Sequence, residues 1–287
     1  FARGCLAHPA RIRAARPAAD GVRRGDGDGE QSRTDRRVPG TRTRDRLARL
    51  AVAMGVRKLR LSGGEPLLRH GLEALIEQLA ALKTPEGQPV EIAMTTNGVL
   101  LERKAKALRA AGLNRLTVSL DGLTDATFQR MSDSQIPVSR ILDGITAAQE
   151  SGLAPIKVNM VVRRGINEHE IVPLAQHFRH SGIIVRFIEY MDVGSSNGWR
   201  LDEVVPASEV LARIHAEYPL LAVDPNYSGE VAKRWAYADG SGEIGVIASV
   251  TQAFCQTCTR LRLATDGRLY TCLFASSGID LRAPLRS

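Results

Sequence analysis

The 287-residue chain contains 44% apolar residues, enough for a sizeable core in one large domain or two smaller ones. No run reaches the ~18 apolar residues of a membrane span, and the arginine-rich start has no apolar signal segment, so we expect a cytoplasmic protein. The net charge is +8, but residues 1–45 hold +5 of it. The remaining residues carry only +3, which disfavours a basic face for nucleic acid.

Residues 1–45 differ from the rest of the chain in composition. They contain eleven Arg and no Lys, are rich in Gly, Ala and Pro, and show almost no hydrophobic periodicity. Such a segment buries too little apolar surface to offset its ordering entropy, so we expect it to be disordered or loosely attached. The abrupt change near Arg46 indicates a frame-shifted translation from a GC-rich gene, and hence a gene-model error or a decayed copy.

Helical and strand patterns alternate over residues 46–191. Helices are predicted at residues 47–54, 71–82, 102–111, 139–151 and 168–180, and strands at residues 58–61, 90–95, 115–120, 156–162 and 185–189. Alternation at this spacing is typical of βα units around a parallel sheet. Because no Gly-x-Gly-x-x-Gly fingerprint is present, an incomplete parallel (β/α) TIM-like barrel fits better than a Rossmann fold.

Residues 192–287 form a smaller α+β extension that we expect to close the mouth of the barrel. A helix is predicted at residues 207–215, and strands at residues 229–237, 243–250 and 260–271. Asp266-Gly267 lies between apolar stretches and is a signal for a tight hairpin.

The extension carries three of the four cysteines, as Cys255-x-x-Cys258 and Cys272. Two thiolates on a tight turn and a third on a returning hairpin can hold one metal centre and leave a coordination position open. The spacing fits either zinc or a [4Fe–4S] cluster. A structural zinc site completed by a distant His, or buried cysteines without a metal, are the alternatives.

Polar residues lie on or just after five predicted strands, most of them near the rim where barrel enzymes bind substrates. These are Gly63-Gly64, Thr95-Thr96-Asn97-Gly98, Ser119-Leu120-Asp121, Lys157-Val158-Asn159 and Glu189-Tyr190-Met191. Together they predict a polar pocket.

Basic residues also lie on predicted strands, where isolated charges normally avoid burial. They are Arg60, Lys157, Arg186, Arg260 and Arg262. Positive groups that converge on a cavity fit a polyphosphate substrate, because guanidinium groups pair with phosphate oxygens. Salt bridges across a barrel are the alternative.

Several segments together resemble the GTP 3′,8-cyclases of molybdenum-cofactor synthesis, a family of radical S-adenosylmethionine (SAM) enzymes. The resemblance covers residues 46–287 and is carried by Arg60-Leu61-Ser62-Gly63-Gly64-Glu65-Pro66-Leu67, Thr95-Thr96-Asn97-Gly98, Val118-Ser119-Leu120-Asp121, Lys157-Val158-Asn159, Arg186-Phe187-Ile188-Glu189-Tyr190-Met191 and Phe254-Cys255-x-x-Cys258-Thr259-Arg260-x-Arg262. Gly198-Trp199 and Gly229-Glu230-Val231-Ala232 are similar to the family as well.

The resemblance implies a lyase that converts GTP to (8S)-3′,8-cyclo-7,8-dihydroguanosine 5′-triphosphate. In this family a first [4Fe–4S] cluster cleaves SAM to a radical that abstracts the 3′ hydrogen of GTP, and a second cluster holds the purine. The resemblance implies the second cluster's ligands (Cys255, Cys258, Cys272), the SAM contacts (Gly64, Ser119, Met191), the GTP contacts (Arg60, Thr95, Lys157, Arg260, Leu261, Arg262) and a residue near the chemistry, Arg186. It also implies a homodimer, a downstream cyclic pyranopterin monophosphate synthase as pathway partner, and neither a membrane nor nucleic acid.

The chain departs from the family pattern at both ends. No Cys-x3-Cys-x2-Cys motif for the first cluster is present, and Cys5 is the only cysteine near the start. The chain stops at Ser287, whereas family members continue to a terminal Gly-Gly. We therefore expect the chain as written to be inactive. A non-catalytic GTP-binding remnant is the alternative, and a zinc-stabilised nucleic-acid binder is disfavoured because aromatics make up only 5% of the chain.

Overall fold

A computed structural model describes residues 41–192, 198–252 and 258–282. Its helices are α1 (Thr41–Ala53), α2 (Leu72–Ala80), α3 (Leu101–Ala110), α4 (Asp125–Ser132), α5 (Val138–Glu150), α6 (Ile171–Phe178) and α7 (Ala207–Glu217). Its strands are β1 (Lys58–Leu61), β2 (Glu91–Thr96), β3 (Arg115–Ser119), β4 (Ile156–Val162), β5 (Ile184–Glu189), β6 (Leu220–Val223), β7 (Lys233–Tyr237), β8 (Glu243–Ile247), β9 (Arg262–Leu263), β10 (Arg268–Tyr270) and β11 (Ile279–Asp280).

The first five strands pair in chain order and run parallel, which confirms the predicted barrel-type sheet. The sheet continues beyond residue 191, because β8 pairs with β5 in parallel and β7 and β6 follow in antiparallel. Two of the strands predicted for the extension therefore extend the barrel sheet itself. The third region predicted as strand forms the hairpin of β9 and β10, which makes a separate three-stranded sheet with β11.

The alternation of residues along the strands places the core between the sheet and its helices. In β4 the residues Ile156, Val158, Met160 and Val162 are all buried, whereas the intervening Lys157 and Asn159 are half-buried. Because successive strand residues point to opposite faces, the apolar set packs on the helices and the polar set faces the barrel interior. The polar side chains therefore line the inner side of the sheet, a space that we refer to as the barrel cavity.

Some element boundaries differ from the sequence predictions. Helix α1 begins at Thr41 and not near Arg46, while the rest of the segment expected to be disordered, residues 1–40, lies outside the described residues. Helix α4 was not predicted, because its eight residues bury only Thr127, Phe128 and Ser132 and so show little apolar periodicity. Across the described ranges, every helix is too short or too polar to cross a membrane.

Candidate functional site: a basic cavity inside the barrel

Side chains from five neighbouring strands form a hydrogen-bonded chain across the barrel interior. Arg60 Nη1 on β1 donates to Thr95 Oγ1 on β2 at 2.9 Å and to Thr117 Oγ1 on β3 at 3.3 Å. From the other side, Arg186 Nη2 on β5 donates to the same Thr117 Oγ1 at 3.3 Å. Arg186 Nε also donates to Asn159 Oδ1 on β4 at 3.0 Å. Two guanidinium groups therefore share one neutral hydroxyl oxygen.

The register of the parallel strands brings these residues together. Thr95 lies opposite Thr117, and Thr117 lies opposite Lys157. Asn159 lies opposite Arg186 one level further along. Because every second residue of a strand faces the same side, one polar residue per strand is enough to line the cavity. Thr117 was not predicted as a site residue, although its position two residues before Ser119 in an alternating strand is a usable signal.

The charge in this cavity is positive and poorly compensated. Burial and then the charge of the neighbouring Arg60 lower the pKa of Arg186 to about 10. Burial and then the charge of Arg186 lower the pKa of Lys157 to about 8. Among the described residues, neither Arg186 nor Lys157 has a carboxylate within ion-pair distance. Salt bridging across the barrel therefore does not account for these two cations, and an anionic ligand would stabilise both.

A glycine on β8 makes room for the central arginine. Gly245 lies opposite Arg186 in the register of β5 and β8. A Cβ at this position would meet Arg186 Cγ at 3.0 Å and the Ala232 side chain at 3.3 Å. Gly245 was not predicted as a site residue, although a glycine inside a strand indicates a close approach of this kind.

The turn after β1 is open towards the rim of the barrel. Gly63 has φ +143°, a conformation that side-chain-bearing residues rarely adopt, and a Cβ at Gly64 would meet nothing within 4 Å. Glu65 fixes this turn to the end of β2, because its carboxylate accepts from Thr96 Oγ1 at 2.6 Å and from the Asn97 amide at 2.7 Å. The backbone at Gly64 is thus held in place and accessible to a ligand.

The two other residues predicted to contact SAM lie at the same edge of the sheet. Ser119 ends β3, and Met191 follows the end of β5 by two residues. The segment after β5 is anchored, since Trp199 Nε1 donates to the Tyr190 carbonyl at 2.9 Å and the Arg163 guanidinium lies 4.8 Å from the Tyr190 ring centroid. Carboxyl ends of parallel strands share one edge, so Gly64, Ser119 and Met191 are suitably placed for one ligand.

Two of the three predicted metal ligands are described, and both are exposed. Hydrogen bonds from the Arg260 backbone and side chain lower the pKa of the Cys258 thiol, and the Phe274 amide donates to Cys272 Sγ at 3.4 Å. The donors at Cys258 favour the thiolate form that a metal requires. The described residues contain no group of three or more His, Cys, Asp or Glu side chains suited to a metal. Cys255 lies outside the described residues, so the three-cysteine site stays a prediction.

The predicted GTP-contacting segment next to these cysteines includes an unsatisfied donor. Arg262 Nη1 is buried, and it has no hydrogen-bond partner in the part of the chain that the structure describes. Arg262 opens β9, while the adjacent Leu261 is 53% exposed. An orphaned buried guanidinium nitrogen is costly unless a ligand pairs with it, which fits the predicted role of Arg262.

Two family models match almost the whole chain. The Radical SAM superfamily matches residues 23–178, and Molybdenum Cofactor Synthesis C matches residues 183–287. The first match begins within residues 1–45, ahead of the point where the alternating pattern starts. A GTP 3′,8-cyclase of Xanthomonas axonopodis pv. citri is 52% identical over 239 residues, which are 83% of this chain and 70% of that protein. A GTP 3′,8-cyclase of Acidothermus cellulolyticus is 54% identical over 84% of this chain and 66% of its own length.

Solved structures support the fold. Streptococcus suis SuiB bound to S-adenosylmethionine matches with a TM-score of 0.63 and 14% identity, covering 89% of this chain and 58% of that chain. Native anSMEcpe with bound AdoMet matches with a TM-score of 0.56 and 14% identity, covering 82% of this chain and 65% of that chain.

Proposed function

Because the chain belongs to the GTP 3′,8-cyclase family of radical SAM enzymes, we propose that its barrel cavity binds GTP for cyclisation of the ribose onto the purine. The observation that carries this proposal is the pair Arg60 and Arg186, which share the neutral Thr117 oxygen. Arg186 and Lys157, which have no carboxylate within ion-pair distance among the described residues, give this cavity positive charge suited to a nucleoside triphosphate. The product would enter molybdenum-cofactor synthesis.

Residues on β1, β2 and β4 would bind the nucleotide in this proposal. Arg60, Thr95 and Lys157 offer two cations and a hydroxyl from three strands of the same sheet. Arg186 is central and half-buried, so it would lie next to the reacting ribose and orient it. Arg260, Leu261 and Arg262 would contact the nucleotide from the segment before and within β9, and the unpaired Nη1 of Arg262 supports this placement.

The cofactors of the family would bind at the rim. Gly64 offers open backbone for SAM, with Ser119 and Met191 at the neighbouring strand ends. Bound SAM and [4Fe–4S] clusters supply radical chemistry in this family. Cys258 and Cys272, with Cys255, would hold the second cluster, because exposed sulfurs that already accept amide hydrogen bonds fit thiolate ligation.

Cys5 is the only cysteine of this chain before Cys255, so the chain has no Cys-x3-Cys-x2-Cys motif for a first cluster. This observation favours a second candidate function, a GTP-binding chain that produces no radical. We expect the 287-residue chain to bind GTP and to release no 5′-deoxyadenosine from SAM under strong reductant. A homodimer, a cytoplasmic location and a downstream cyclic pyranopterin monophosphate synthase as pathway partner are further predictions from the family.

The test is anaerobic reconstitution of the 287-residue chain, followed by GTP titration and analysis of iron and of 5′-deoxyadenosine. We expect about four irons per chain, because ligands for one cluster are present. GTP should bind, and Arg262→Ala should weaken binding about ten-fold or more, since a charged hydrogen bond is worth roughly 1.5–3 kcal/mol.

Arg200→Ala is the matched control, because Arg200 is a largely exposed arginine paired with Asp202. It should leave GTP affinity unchanged. Absence of GTP binding would refute the proposed function. Measurable 5′-deoxyadenosine would refute the non-catalytic candidate and reveal an unrecognised cluster site.

A further inference from the structure

The buried carboxylate of Glu189, the last residue of β5, joins three separate segments of the chain. Glu189 is only 2% exposed. Oε1 accepts from the Ala207 amide at 2.8 Å and from Thr251 Oγ1 at 2.5 Å. Oε2 accepts from the amides of Val250 at 2.7 Å and Thr251 at 2.8 Å. Both oxygens therefore accept two hydrogen bonds each.

The first of these segments is the start of α7. Ala207 is the first residue of that helix, and its N-cap residue, Pro206, provides no side-chain hydrogen bond. A helix N-terminus has unsatisfied amides and a partial positive charge, so a carboxylate is the favoured partner. Glu189 thus caps α7 from a neighbouring strand.

The second segment follows β8 and leads to the cysteine region. Val250 and Thr251 lie between the end of β8 and Cys258. On the other side of the carboxylate, the β5 chain continues directly through Tyr190 to Met191. The segment that carries Met191 and the segment that leads to Cys258 are therefore fixed to the same two oxygen atoms.

We propose that Glu189 is a positioning residue, which aligns the cysteine-bearing segment with the rim of the barrel through Val250 and Thr251. The inference rests on the proposed function, in which the barrel cavity and the region from Cys258 to Arg262 bind one nucleotide. Glu189 lies on the helix-covered side of β5, since it alternates with the cavity-facing Arg186 and Ile188. It acts through the segments it holds and does not contact the nucleotide.

A carboxylate is required for this role. All four donors point at its oxygens, and three of them are backbone amides that cannot turn away. An amide side chain has one acceptor oxygen, so its NH2 group would face at least one backbone N–H. An apolar side chain would leave three amides without a partner in a buried site, which is strongly unfavourable.

The test compares Glu189→Gln, Glu189→Asp and the control Val210→Ala. Val210 lies in α7 and is 2% exposed, so its truncation destabilises the same helix without removing any of the four hydrogen bonds. Two quantities are measured: the hydrogen-exchange rates of the Val250 and Thr251 amides, and the dissociation constant for GTP. Thermal midpoints show whether Glu189→Gln and Val210→Ala lose comparable stability.

We expect Glu189→Gln to raise exchange at Val250 and Thr251 about ten-fold and to weaken GTP binding by a similar factor, since charge-assisted hydrogen bonds are lost. Glu189→Asp keeps the carboxylate, so it should retain part of the amide protection and part of the GTP affinity that Glu189→Gln loses. Val210→Ala should lower the midpoint without either local effect. If Glu189→Gln fails to fold, Thr251→Val and Ala207→Pro each remove one donor, and proline is tolerated at the first residue of a helix.

Equal exchange at Val250 and Thr251 in Glu189→Gln and Val210→Ala would overturn the proposal, as would faster exchange with unchanged GTP affinity. A wild-type chain that binds no GTP would instead contradict the proposed function. In that case the hydrogen-exchange rates of Val250 and Thr251 would still show whether Glu189 holds the segment that follows β8.

Discussion

The side chain of Arg186 lies across Gly245, and the missing side chain of the glycine provides the space that the arginine fills. A Cβ at Gly245 would approach Arg186 Cγ to 3.0 Å and Cδ to 3.5 Å. The first distance is tighter than ordinary van der Waals contact, and the atoms on the arginine side belong to a flexible chain. An added methyl group would therefore displace Arg186, and it would also press on the Ala232 side chain at 3.3 Å.

Gly245→Ala should weaken GTP binding about ten-fold, because it shifts a guanidinium that makes charged hydrogen bonds, and the contact with Ala232 should also lower the stability modestly. Isothermal titration with GTP measures the affinity, and thermal denaturation measures the stability. Ile244→Val is the control, since Ile244 is buried on the opposite side of β8. Undiminished affinity in Gly245→Ala would show that the position of Arg186 does not matter for binding.

Thr117→Val should weaken GTP binding about two- to ten-fold, since a neutral hydrogen-bond acceptor is worth roughly 0.5–1.5 kcal/mol. The substitution keeps the shape of the side chain but removes the oxygen that Arg60 and Arg186 share. Thr117→Ser retains that oxygen and should bind GTP nearly as the wild type does. Equal losses in both variants would point to packing, and not to the hydroxyl, as the cause.

GTP affinity should fall as the pH rises through about 8, because the pKa of Lys157 is lowered to about 8 by burial and by Arg186. Only the protonated ammonium attracts phosphate. Above this pKa the lysine of the free protein is neutral, so it must bind a proton again before it attracts GTP, and this lowers the affinity. Titrations between about pH 7 and 8.5 in wild type and Lys157→Arg measure the effect, since guanidinium keeps its charge. Parallel pH profiles in the two proteins would contradict this account.

Asp121→Asn should make the unfolding free energy less dependent on pH between about 4 and 6. Burial raises the pKa of the Asp121 carboxyl from 3.8 to about 6, while the Val161 amide that donates to it at 2.8 Å opposes the shift. The folded chain then binds more protons than the unfolded chain in this window, so stability falls as the pH rises.

Above pH 6 the Asn variant should therefore be more stable than wild type, by about 1–3 kcal/mol. Its amide oxygen can still accept from Val161. Asp121→Ala lacks this acceptor and should be less stable than Asp121→Asn. Urea denaturation at several pH values measures all three proteins, and an unchanged pH slope in Asp121→Asn would refute the assignment.

The strands and their cavity-facing charges could be predicted from sequence because both are local patterns. The predicted strands at Lys58–Leu61 and Ile156–Val162 match the structure residue for residue, since apolar and polar residues alternate there. The importance of Gly245 could not be predicted in this way. It depends on the pairing of β8 with β5, which brings Gly245 opposite Arg186 from a distant part of the sequence. A window of neighbouring residues does not contain that register.

The hydrophobic core hardly extends into the region after Gln252, which contains Cys258, Cys272 and the three-stranded sheet of β9, β10 and β11. Among the described residues after Gln252, only Tyr270 is buried. Apolar burial provides most of the folding free energy, so β9, β10 and β11 contribute little to the stability of the barrel. Substitutions in this sheet can therefore change what the protein recognises while the barrel still folds. Natural selection can act on ligand recognition in this sheet almost independently of its action on the barrel's ability to fold.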